Sequence, residues 1–413
     1  MVMSKIVSLL ALLLIHSLSY AQVLGFSLAE GRRKVNIPIE IHNNLVVVPV
    51  VLNGQLPLKF ILDTGVRTSI LTEKTFSDIL NLTYSRKYSI AGPGGEKIVD
   101  AYVTNNVSLD LPGVHGEGHA MLVLEEDYLE LRNYLGADVH GILGYELFSR
   151  FIVKIDYENK RLTLSTPAKF KKPGSRYKTV PITIQDTKPY MVTEVEMNDS
   201  IRVITKLLID SGASHGLVLE PSSDPNLKVP PRHIKSIIGR GIGGIITGQI
   251  GRIKAIHVGG YRVTNVISNF PDPNSYMDTL KTGRAIFRNG SLGGEVLSRF
   301  NVIFDFPKEK MYVKKNHDYR KKFHFNLSGL TLKAEGSNLR KYEITDVREN
   351  STAALAGIQT GDLILSVNGL SAAEFDLNTL TGFFNSKPGK KIVIDIERAG
   401  KRSKKIFRLE NQI

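Results

Sequence analysis

The chain has 413 residues, a length typical of two or three domains. Because 42% of its residues are hydrophobic and 8% aromatic, it can bury real cores, which excludes a disordered or fibrous protein. The absence of Cys excludes disulfide frameworks, thiolate zinc sites and Cys nucleophiles. The formal net charge of +14 by itself points to nucleic acid or an anionic surface as a partner.

The first 21 residues have the pattern of an export signal. Lys5 supplies a positive charge, an apolar run follows from Ile6 to Ile15, and Ser19-Tyr20-Ala21 offers a cleavage site. The apolar run is too short to span a bilayer. We therefore predict that residues 1–21 are a removed signal peptide, and that no transmembrane segment remains. The protein is expected to work in the periplasm or outside the cell, with association to the envelope left open.

Most of the remaining chain is a repeat of two similar units. Residues 60–73 read FILDTGVRTSILTE, and residues 207–220 read LLIDSGASHGLVLE. Residues 141–164 and 290–313 form a second matching pair, which shares Leu-Gly, Glu, Ser-Arg-Phe, Val and Asp at equivalent places. Continuous apolar runs before each Asp predict buried strands, and the segments after Leu-Gly predict one short helix each. One β-rich unit is therefore present twice, in the same order.

Each unit carries an Asp on a tight turn after a buried strand, at Asp63 and Asp210. Alone, such a turn is weak evidence, because Asp is common in turns. Two units related by an approximate two-fold axis would bring equivalent loops face to face. Two carboxyls in contact share one proton, which provides a general acid and a general base for one water molecule. Such a pair can hydrolyse an amide without a covalent intermediate.

The residues beside the two Asp fit this interpretation. The hydroxyls of Thr64 and Ser211 can tie the loops to each other. Gly65 and Gly212 allow backbone amides to approach the carboxylates closely. A Gly-rich turn also lies between the two matching blocks of each unit, formed in order by Gly92, Gly94 and Gly95 and by Gly241, Gly243 and Gly244.

Residues 35–315 resemble the aspartic proteases of the retropepsin and pepsin kind, on the two Asp loops and on the elements Gly141-Ile-Leu-Gly144 and Ser291-Leu-Gly293. The resemblance implies two tandem lobes related by a pseudo-two-fold axis, with Asp63 and Asp210 as the catalytic pair. It implies an activated water, no metal or other cofactor, and an extended peptide in the cleft between the lobes. The Gly-rich turns resemble the flaps that close over a peptide.

Three residues depart from this family pattern. Ser291 replaces the first of the two apolar residues found at Ile142-Leu143. Arg67 follows the first Asp loop closely, where its charge either acts on the Asp pair or faces solvent. Tyr88 is only a candidate for the flap tyrosine. The alternative to an active protease is therefore a peptide-binding or scaffold protein of the cell envelope on the same fold, since a fold alone does not prove catalysis.

Two further motifs resemble catalytic or metal sites but lack the required context. Residues 212–216 match the nucleophile elbow of serine hydrolases, which needs a helix directly afterwards, whereas residues 217–219 predict a strand. His115 and His119 are separated by two glycines, which argue against a helix that would align both rings on a metal.

The C-terminal part, predicted from residue 323 to 413, has a different pattern. Residues 356–369, AGIQTGDLILSVNG, resemble the PDZ domain. The resemblance implies a small β-rich fold with short helices, a groove helix near 376–385 and a peptide ligand. Its carboxylate-binding loop would hold Ser328, Gly329 and Leu330, although the loop departs from the Gly-Leu-Gly-Phe form. The alternative is a PDZ-like unit that only packs on the protease lobes.

The predicted organisation is a mainly β protein, with lobes at 22–178 and 179–322 between the signal peptide and the PDZ domain. Most of the positive charge lies in the two connectors at 167–178 and 308–322, which leaves no basic groove for phosphates. We therefore expect a peptide or protein substrate, a monomer, and no nucleic-acid partner.

Overall fold

The computed structural model describes residues 24–90, 92, 94, 98–273 and 286–413. In this part of the chain strands far outnumber helices, so the predicted mainly β fold is confirmed. None of the helices in these residues is both long and apolar enough to cross a membrane. The predicted signal peptide at 1–21 and the predicted flap residue Gly95 lie outside the described residues.

The first half of the described chain contains fourteen strands and three α-helices. The strands are β1 Gly25–Leu28, β2 Lys34–Pro38, β3 Glu40–His42, β4 Leu45–Leu52, β5 Leu56–Leu62, β6 Ile70–Leu71, β7 Tyr84–Ile90, β8 Val99–Val107, β9 Leu109–Asp110, β10 Val114–Glu117, β11 His119–Leu124, β12 Gly141–Leu143, β13 Ile152–Asp156 and β14 Arg161–Ser165. The helices are α1 Lys74–Ile79, α2 Leu131–Leu135 and α3 Tyr145–Arg150.

Eleven strands and one α-helix follow in the second unit. The strands are β15 Lys178–Pro181, β16 Thr183–Gln185, β17 Lys188–Glu196, β18 Arg202–Ile209, β19 Leu217–Leu219, β20 His233–Gly241, β21 Gly244–Val258, β22 Tyr261–Pro271, β23 Gly290–Leu292, β24 Phe300–Asp305 and β25 Lys310–Lys315. The helix is α4 Gly294–Leu297.

The C-terminal unit contains six strands and two α-helices. They are, in chain order, β26 Leu330–Glu335, β27 Lys341–Val347, α5 Thr352–Leu355, β28 Leu363–Val367, β29 Leu370–Ser371, α6 Leu377–Phe384, β30 Lys391–Arg398 and β31 Lys401–Arg408. The strand order of its sheet is β26-β27-β28-β30-β31, with β29 paired to β28. Helix α6, which is predicted as the groove helix, is capped at its N-terminus by Asp376, whose carboxylate accepts the Thr379 amide at 2.7 Å.

The two large sheets have the same strand order. The first is β3-β4-β5-β12-β6-β11-β8-β7 with β9 added beside β4, and the second is β16-β17-β18-β23-β19-β22-β21-β20. We call the residues of these sheets, with the helices between their strands, the first and the second lobe. In each lobe the strand before the Asp pairs in parallel with the strand of the Leu-Gly block, so the repeated sequence produces a repeated topology.

A third sheet, ordered β15-β25-β24-β13-β14-β2, joins strands from both repeats. Strand β13 of the first copy pairs antiparallel with β24 of the second, with Val153 opposite Phe304. Both strands begin two or three residues after the ends of the short helices α3 and α4, as the repeat predicts. Because β13 and β24 are buried and occupy equivalent places, this sheet fixes the two lobes against each other.

The apolar runs that lead into the two Asp residues are buried. Phe60 and Leu62 in β5 and Leu207 and Ile209 in β18 have no exposed side-chain surface. Each of these strands lies between two neighbours, β4 and β12 or β17 and β23. Burying such side chains stabilises the fold by roughly 1.5–3 kcal/mol each. The Asp residues therefore follow buried, central strands of their sheets.

Candidate active site

The two Asp loops start at equivalent points of the two lobes. Asp63 directly follows β5, and its amide donates to the Leu143 carbonyl oxygen at 2.9 Å. Asp210 directly follows β18, and its amide donates to the Leu292 carbonyl oxygen, also at 2.9 Å. Each loop is therefore anchored to the end of β12 or β23, the strand that carries the Leu-Gly block.

Thr64 and Ser211 join the two loops by four hydrogen bonds. The amide of each residue donates to the side-chain oxygen of the other, at 3.1 Å from Thr64 and 3.0 Å from Ser211. Each hydroxyl then donates to a carbonyl oxygen on the opposite strand end, Thr64 to Ile209 at 2.6 Å and Ser211 to Leu62 at 2.8 Å. All these groups are buried, so each would be left without a partner if the loops separated.

The two carboxyl groups point to the same place. The Gly65 amide donates to Asp63 Oδ1 at 2.6 Å, and the Gly212 amide donates to Asp210 Oδ1 at 3.0 Å. A methyl group built on Gly65 would lie 3.1 Å from Asp63 Oδ1 and 3.6 Å from Asp210 Oδ1. A methyl group built on Gly212 would overlap the Asp63 carboxylate. Gly212 is therefore required by close approach, Gly65 leaves room only for a tight contact, and both carboxylates surround one position.

The environment favours a proton on this pair. Burial raises the pKa of both Asp63 and Asp210 above the ordinary range of a carboxyl. The neighbouring charge of Asp210 raises the pKa of Asp63 further. The glycine amides and the positive charge of Lys188 lower the pKa of both groups, but by less than burial raises it. The arrangement can therefore hold one carboxyl and one carboxylate together, which is the requirement for paired acid and base chemistry.

The Leu-Gly block of each lobe contacts the Asp loop of the same lobe through its glycine. A methyl group on Gly144 would overlap the Val66 carbonyl oxygen, and one on Gly293 would overlap that of His215. The amide that follows each of these glycines donates to the loop: Tyr145 to the Val66 oxygen at 2.9 Å, and Gly294 to the Ala213 oxygen at 2.7 Å. Only a glycine leaves room for this contact, which explains why both repeats keep it.

Ser291 departs from the family pattern because of a neighbour in its own lobe. Its buried hydroxyl lies 3.1 Å from Nε2 of His215, within hydrogen-bond distance. Burial lowers the pKa of His215 to about 4, so this ring is neutral over the physiological range. The serine therefore gives a partner to a half-buried imidazole where the first lobe has the apolar Ile142.

Each lobe also reaches the Asp loop of the other through a hairpin turn. Asn44, in the turn between β3 and β4, donates from Nδ2 to the Ser214 carbonyl oxygen at 3.2 Å. Asp186, in the turn between β16 and β17, places its Oδ1 3.4 Å from Nη1 of Arg67. Ser214 and Arg67 are equivalent in the repeat, so both hairpin turns reach the same position of the opposite loop, although through different contacts. The Arg67 side chain is 71% exposed, so its charge is paired at the surface and is not aimed at the carboxylates.

The two predicted flaps meet at their tips. The first is the hairpin of β7 and β8, and the second is the hairpin of β20 and β21, in which Gly241 lies opposite Gly244 around Ile242 and Gly243. A methyl group on Gly92 would contact Ile242 at 3.3 Å, and one on Gly244 would lie 2.7 Å from the Gly94 carbonyl oxygen. Tyr88, the candidate flap tyrosine, is 43% exposed and bonded by Arg86 at 3.1 Å, which is a surface position.

The histidines of the possible metal clip do not act together. His119 is buried and bonded to Glu146, whereas His115 lies on the preceding strand at 3.4 Å from Asp110. Among the described residues, Glu194, Glu196 and His257 are close enough to one another to share a cation. Glu196 already accepts both His257 at 2.7 Å and the guanidinium of Arg262, at 2.7 and 2.8 Å, so this cluster is explained by its ion pairs.

The predicted carboxylate-binding loop of the C-terminal unit is closed in this structure. Ser328, Gly329 and Leu330 are all buried. The Asn326 side-chain oxygen accepts the amides of Ser328 at 3.2 Å and Gly329 at 2.9 Å, and the Ser328 hydroxyl accepts the Leu330 amide at 3.1 Å. The amides that would hold a terminal carboxylate are therefore bonded within the loop. Sequence reasoning missed this role of Asn326.

Comparison with known proteins supports the two predicted family resemblances. Residues 48–147, which contain Asp63 and the first flap, match the family model described as aspartyl protease. Residues 343–398 match the model of the PDZ domain. A stretch of 61 residues, 14% of this chain, is 46% identical to the serine endoprotease DegS of Haemophilus influenzae and spans 17% of that protein. The predicted resemblance to an aspartyl protease followed by a PDZ domain is therefore confirmed over the matched residues.

Proposed function

We propose that this protein is an exported aspartic endopeptidase, in which Asp63 and Asp210 activate one water molecule for the hydrolysis of peptide bonds. The observation that carries the proposal is the junction of the two Asp loops. Equivalent strands of two similar sheets deliver a carboxyl each to one position, and the reciprocal bonds of Thr64 and Ser211 hold them there. The match of residues 48–147 to the aspartyl protease family supports the same assignment.

The proposed reaction uses the single proton of the pair. The ionised carboxyl takes a proton from the water as its oxygen attacks the peptide carbonyl carbon, and the protonated carboxyl gives its proton to the carbonyl oxygen. One hydroxyl of the tetrahedral diol then gives its proton to the carboxyl that is now ionised, the C–N bond breaks, and the other carboxyl passes the proton it took from the water to the leaving nitrogen. The products are a free carboxyl and a free amine, and the pair again holds one proton.

The flaps and the PDZ domain have proposed roles in binding the substrate. An extended peptide would lie in the cleft between the Asp loops and the two flap tips, whose contact must open to admit it. Flap closure would exclude water and hold the peptide against the carboxyls. The PDZ domain would dock a peptide or protein beside the protease lobes.

Two other functions remain to be separated from this one by experiment. A peptide-binding envelope protein on the same fold would bind but not cut. The partial similarity to DegS, a serine endoprotease, makes a serine mechanism the second alternative. Ser214, in the elbow-like stretch Gly212 to Gly216, is the residue that the sequence offers for it. Strand β19 begins at Leu217, directly after that stretch, where a nucleophile elbow requires a helix. The structure of this stretch therefore disfavours a serine mechanism.

The proposal is tested by digestion of an unfolded protein substrate, with and without pepstatin. Inhibition by pepstatin would support hydrolysis by the carboxyl pair. Cleavage that resists pepstatin but is stopped by a serine-directed fluorophosphonate would contradict it. Peptide binding without any cleavage would favour the non-catalytic alternative.

Export is the part of the proposal that rests on residues 1–21. We expect the protein to begin at Gln22 when it is recovered from the periplasm or the medium. Terminal sequencing of the secreted form measures this directly, and an uncut chain that stays in the cytoplasm would refute it.

A further inference from the structure

Residues 129–136, which include helix α2, lie between the second flap and the PDZ domain, and we call them the bridging segment. They belong to the first lobe, yet they contact a flap of the second lobe on one side and strand β26 on the other. Neither the two carboxyls nor the family matches assign a role to this segment. Its contacts connect the second flap to the PDZ domain.

The flap side of the bridging segment is held by Arg240, on strand β20. Its Nη2 donates to the hydroxyl of Tyr134 at 2.8 Å, and its guanidinium lies 4.7 Å from the centre of the Tyr134 ring. Its Nη1 lies 3.9 Å from Glu130 Oε2. One flap side chain thus makes a hydrogen bond, a cation–π contact and an ion pair with the opposite lobe.

An apolar contact at the flap tip also holds the second flap on the first lobe. Ile242, two residues beyond Arg240, packs with the buried residues Ile70, Leu129 and Ile142 of the first lobe. Leu131 of the bridging segment and Val66, next to the first Asp loop, pack against the same cluster. The second flap is therefore fixed to the first lobe at two adjacent points, one polar and one apolar.

The PDZ side of the bridging segment covers the two elements that border a PDZ peptide groove. Asn133 Nδ2 donates to the Ala334 carbonyl oxygen of β26 at 2.7 Å, and Arg132 donates to the Ser337 carbonyl oxygen at 2.7 Å. Gly136 is so close to Leu377, the first residue of α6, that a methyl group on the glycine would lie 2.5 Å from its Cβ. Within the described chain β26 pairs only with β27, so Asn133 occupies its otherwise unpaired edge.

The Glu130 carboxylate lies near one positive side chain of the flap and one of the PDZ domain. It lies 3.9 Å from Arg240 of the flap and 4.0 Å from Lys333 of β26. The Glu130 backbone has a positive φ of 47°, which is uncommon outside glycine and fixes the residue at the start of α2. A movement of the bridging segment therefore changes both ion pairs together.

We propose that Arg240 is a positioning residue that holds the second flap over the first lobe, and that the bridging segment couples this hold to the edge of PDZ strand β26. A peptide that adds to β26 competes with Asn133 for the Ala334 carbonyl oxygen and loosens the segment. The same displacement weakens the Glu130 and Tyr134 contacts of Arg240 and favours the open flap. This inference rests on the proposed function, because it assigns the regulation of that site.

A distance measurement tests the coupling without any need for turnover. Because the chain has no Cys, spin labels can be placed only where wanted, at Asn105→Cys on the first lobe and Ile245→Cys beside the second flap tip. Pulsed electron resonance then gives the distribution of distances in the full chain. The variants are Arg240→Gln, Asn133→Ala and, as a matched control on the same strand, Lys235→Gln.

We expect Arg240→Gln to raise the population at longer distances about fivefold, since it removes interactions worth about 1 kcal/mol or more. Asn133→Ala should shift the same population in the same direction, and Lys235→Gln should leave the wild-type distribution. Equal distributions for Arg240→Gln and Lys235→Gln would overturn the role of Arg240. A shift with Arg240→Gln but none with Asn133→Ala would overturn the coupling to the PDZ domain.

Peptide cleavage supplies a second readout. With a peptide long enough to reach both flaps, Arg240→Gln should raise KM about tenfold with kcat within twofold, and Arg240→Lys should recover part of the loss. An unchanged KM would contradict a positioning role. If the wild-type chain cuts no peptide while the labels respond as expected, the proposed function fails and the coupling stands.

Discussion

Thr64 and Ser211 form a reciprocal pair, in which the amide of each residue donates to the hydroxyl of the other at 3.1 and 3.0 Å. These residues lie 147 positions apart in the chain. The pair forms only if the two Asp loops face each other, so it reports directly on the juxtaposition of Asp63 and Asp210.

Replacing either hydroxyl should loosen this junction. Thr64→Val leaves the buried Ser211 amide and Ile209 carbonyl oxygen without their partner, and should lower the free energy of unfolding by about 2–3 kcal/mol. Thr205→Val is the matched control, because Thr205 is also buried but its hydroxyl donates only to the Thr193 carbonyl oxygen. Urea unfolding measures both. Equal, small losses of unfolding free energy in the two variants would show that the cross-loop hydrogen bonds stabilise the fold no more than an ordinary buried hydroxyl does.

The glycine after each active-site hydroxyl should respond differently to an added methyl group. At Gly212 the methyl would overlap the Asp63 carboxylate, so Gly212→Ala should remove at least 99% of peptide cleavage. At Gly65 it would stay 3.1 Å from Asp63 Oδ1, so Gly65→Ala should retain more of the fold's stability than Gly212→Ala. Gly174→Ala, where no atom lies within 4 Å, is the control for both. Full activity of Gly212→Ala would contradict the described geometry.

The raised pKa values of Asp63 and Asp210 make stability depend on pH in a defined direction. In the unfolded chain these carboxyls lose their protons near pH 4. Between that pH and the raised pKa the folded state holds more protons, so this contribution to stability decreases as the pH rises. Asp210→Asn should therefore be more stable than the wild type at pH 8, by roughly 1–3 kcal/mol, and equally stable at pH 3.

Thermal unfolding at the two pH values measures this difference. The exposed Asp186→Asn is the control and should show no such gain. Cleavage should follow the same proton: it should fall at low pH, when both carboxyls are protonated, and again above neutral pH, when the last proton leaves. A rate that keeps rising with pH would contradict a shared proton.

The closed loop of the PDZ domain predicts how it binds peptides. The amides of Ser328, Gly329 and Leu330 already donate hydrogen bonds within the loop. A terminal carboxylate therefore finds no free amide there to donate a hydrogen bond to it. Amidating the C terminus of a bound peptide should therefore change its Kd by less than about twofold. Fluorescence anisotropy measures the Kd of the same peptide with a free and with an amidated C terminus. A tenfold loss of affinity on amidation would show that the loop opens.

The sequence predicts the local parts of this site well because the chain repeats them. Apolar runs that end in Asp-Thr-Gly and Asp-Ser-Gly predict a buried strand followed by a tight loop, and the repeat predicts that the loops face each other. The mainly β fold and the two family resemblances are confirmed. The predicted boundaries of the lobes and the roles of Asp63 and Asp210 stay predictions.

Contacts between parts that do not repeat could not be predicted. Asn44 and Asp186 reach the opposite Asp loop from hairpin turns, and nothing in their own sequence indicates a partner so distant in the chain. The bonds of Asn133 to β26 and of Arg240 to Tyr134 depend on how the lobes and the PDZ domain pack. Such contacts lack a local pattern because they follow from tertiary packing alone.

The central claim is that the two carboxyls act as one catalytic pair, and side-by-side cleavage by Asp63→Asn, Asp210→Asn and Ser214→Ala tests it most directly. An amide keeps the shape of each carboxyl but cannot share the proton, so each Asn variant should lose at least 99.9% of peptide cleavage while keeping its fold by circular dichroism. Ser214→Ala should cleave at the wild-type rate. Full activity in either Asn variant, or loss of activity in Ser214→Ala alone, would contradict the account.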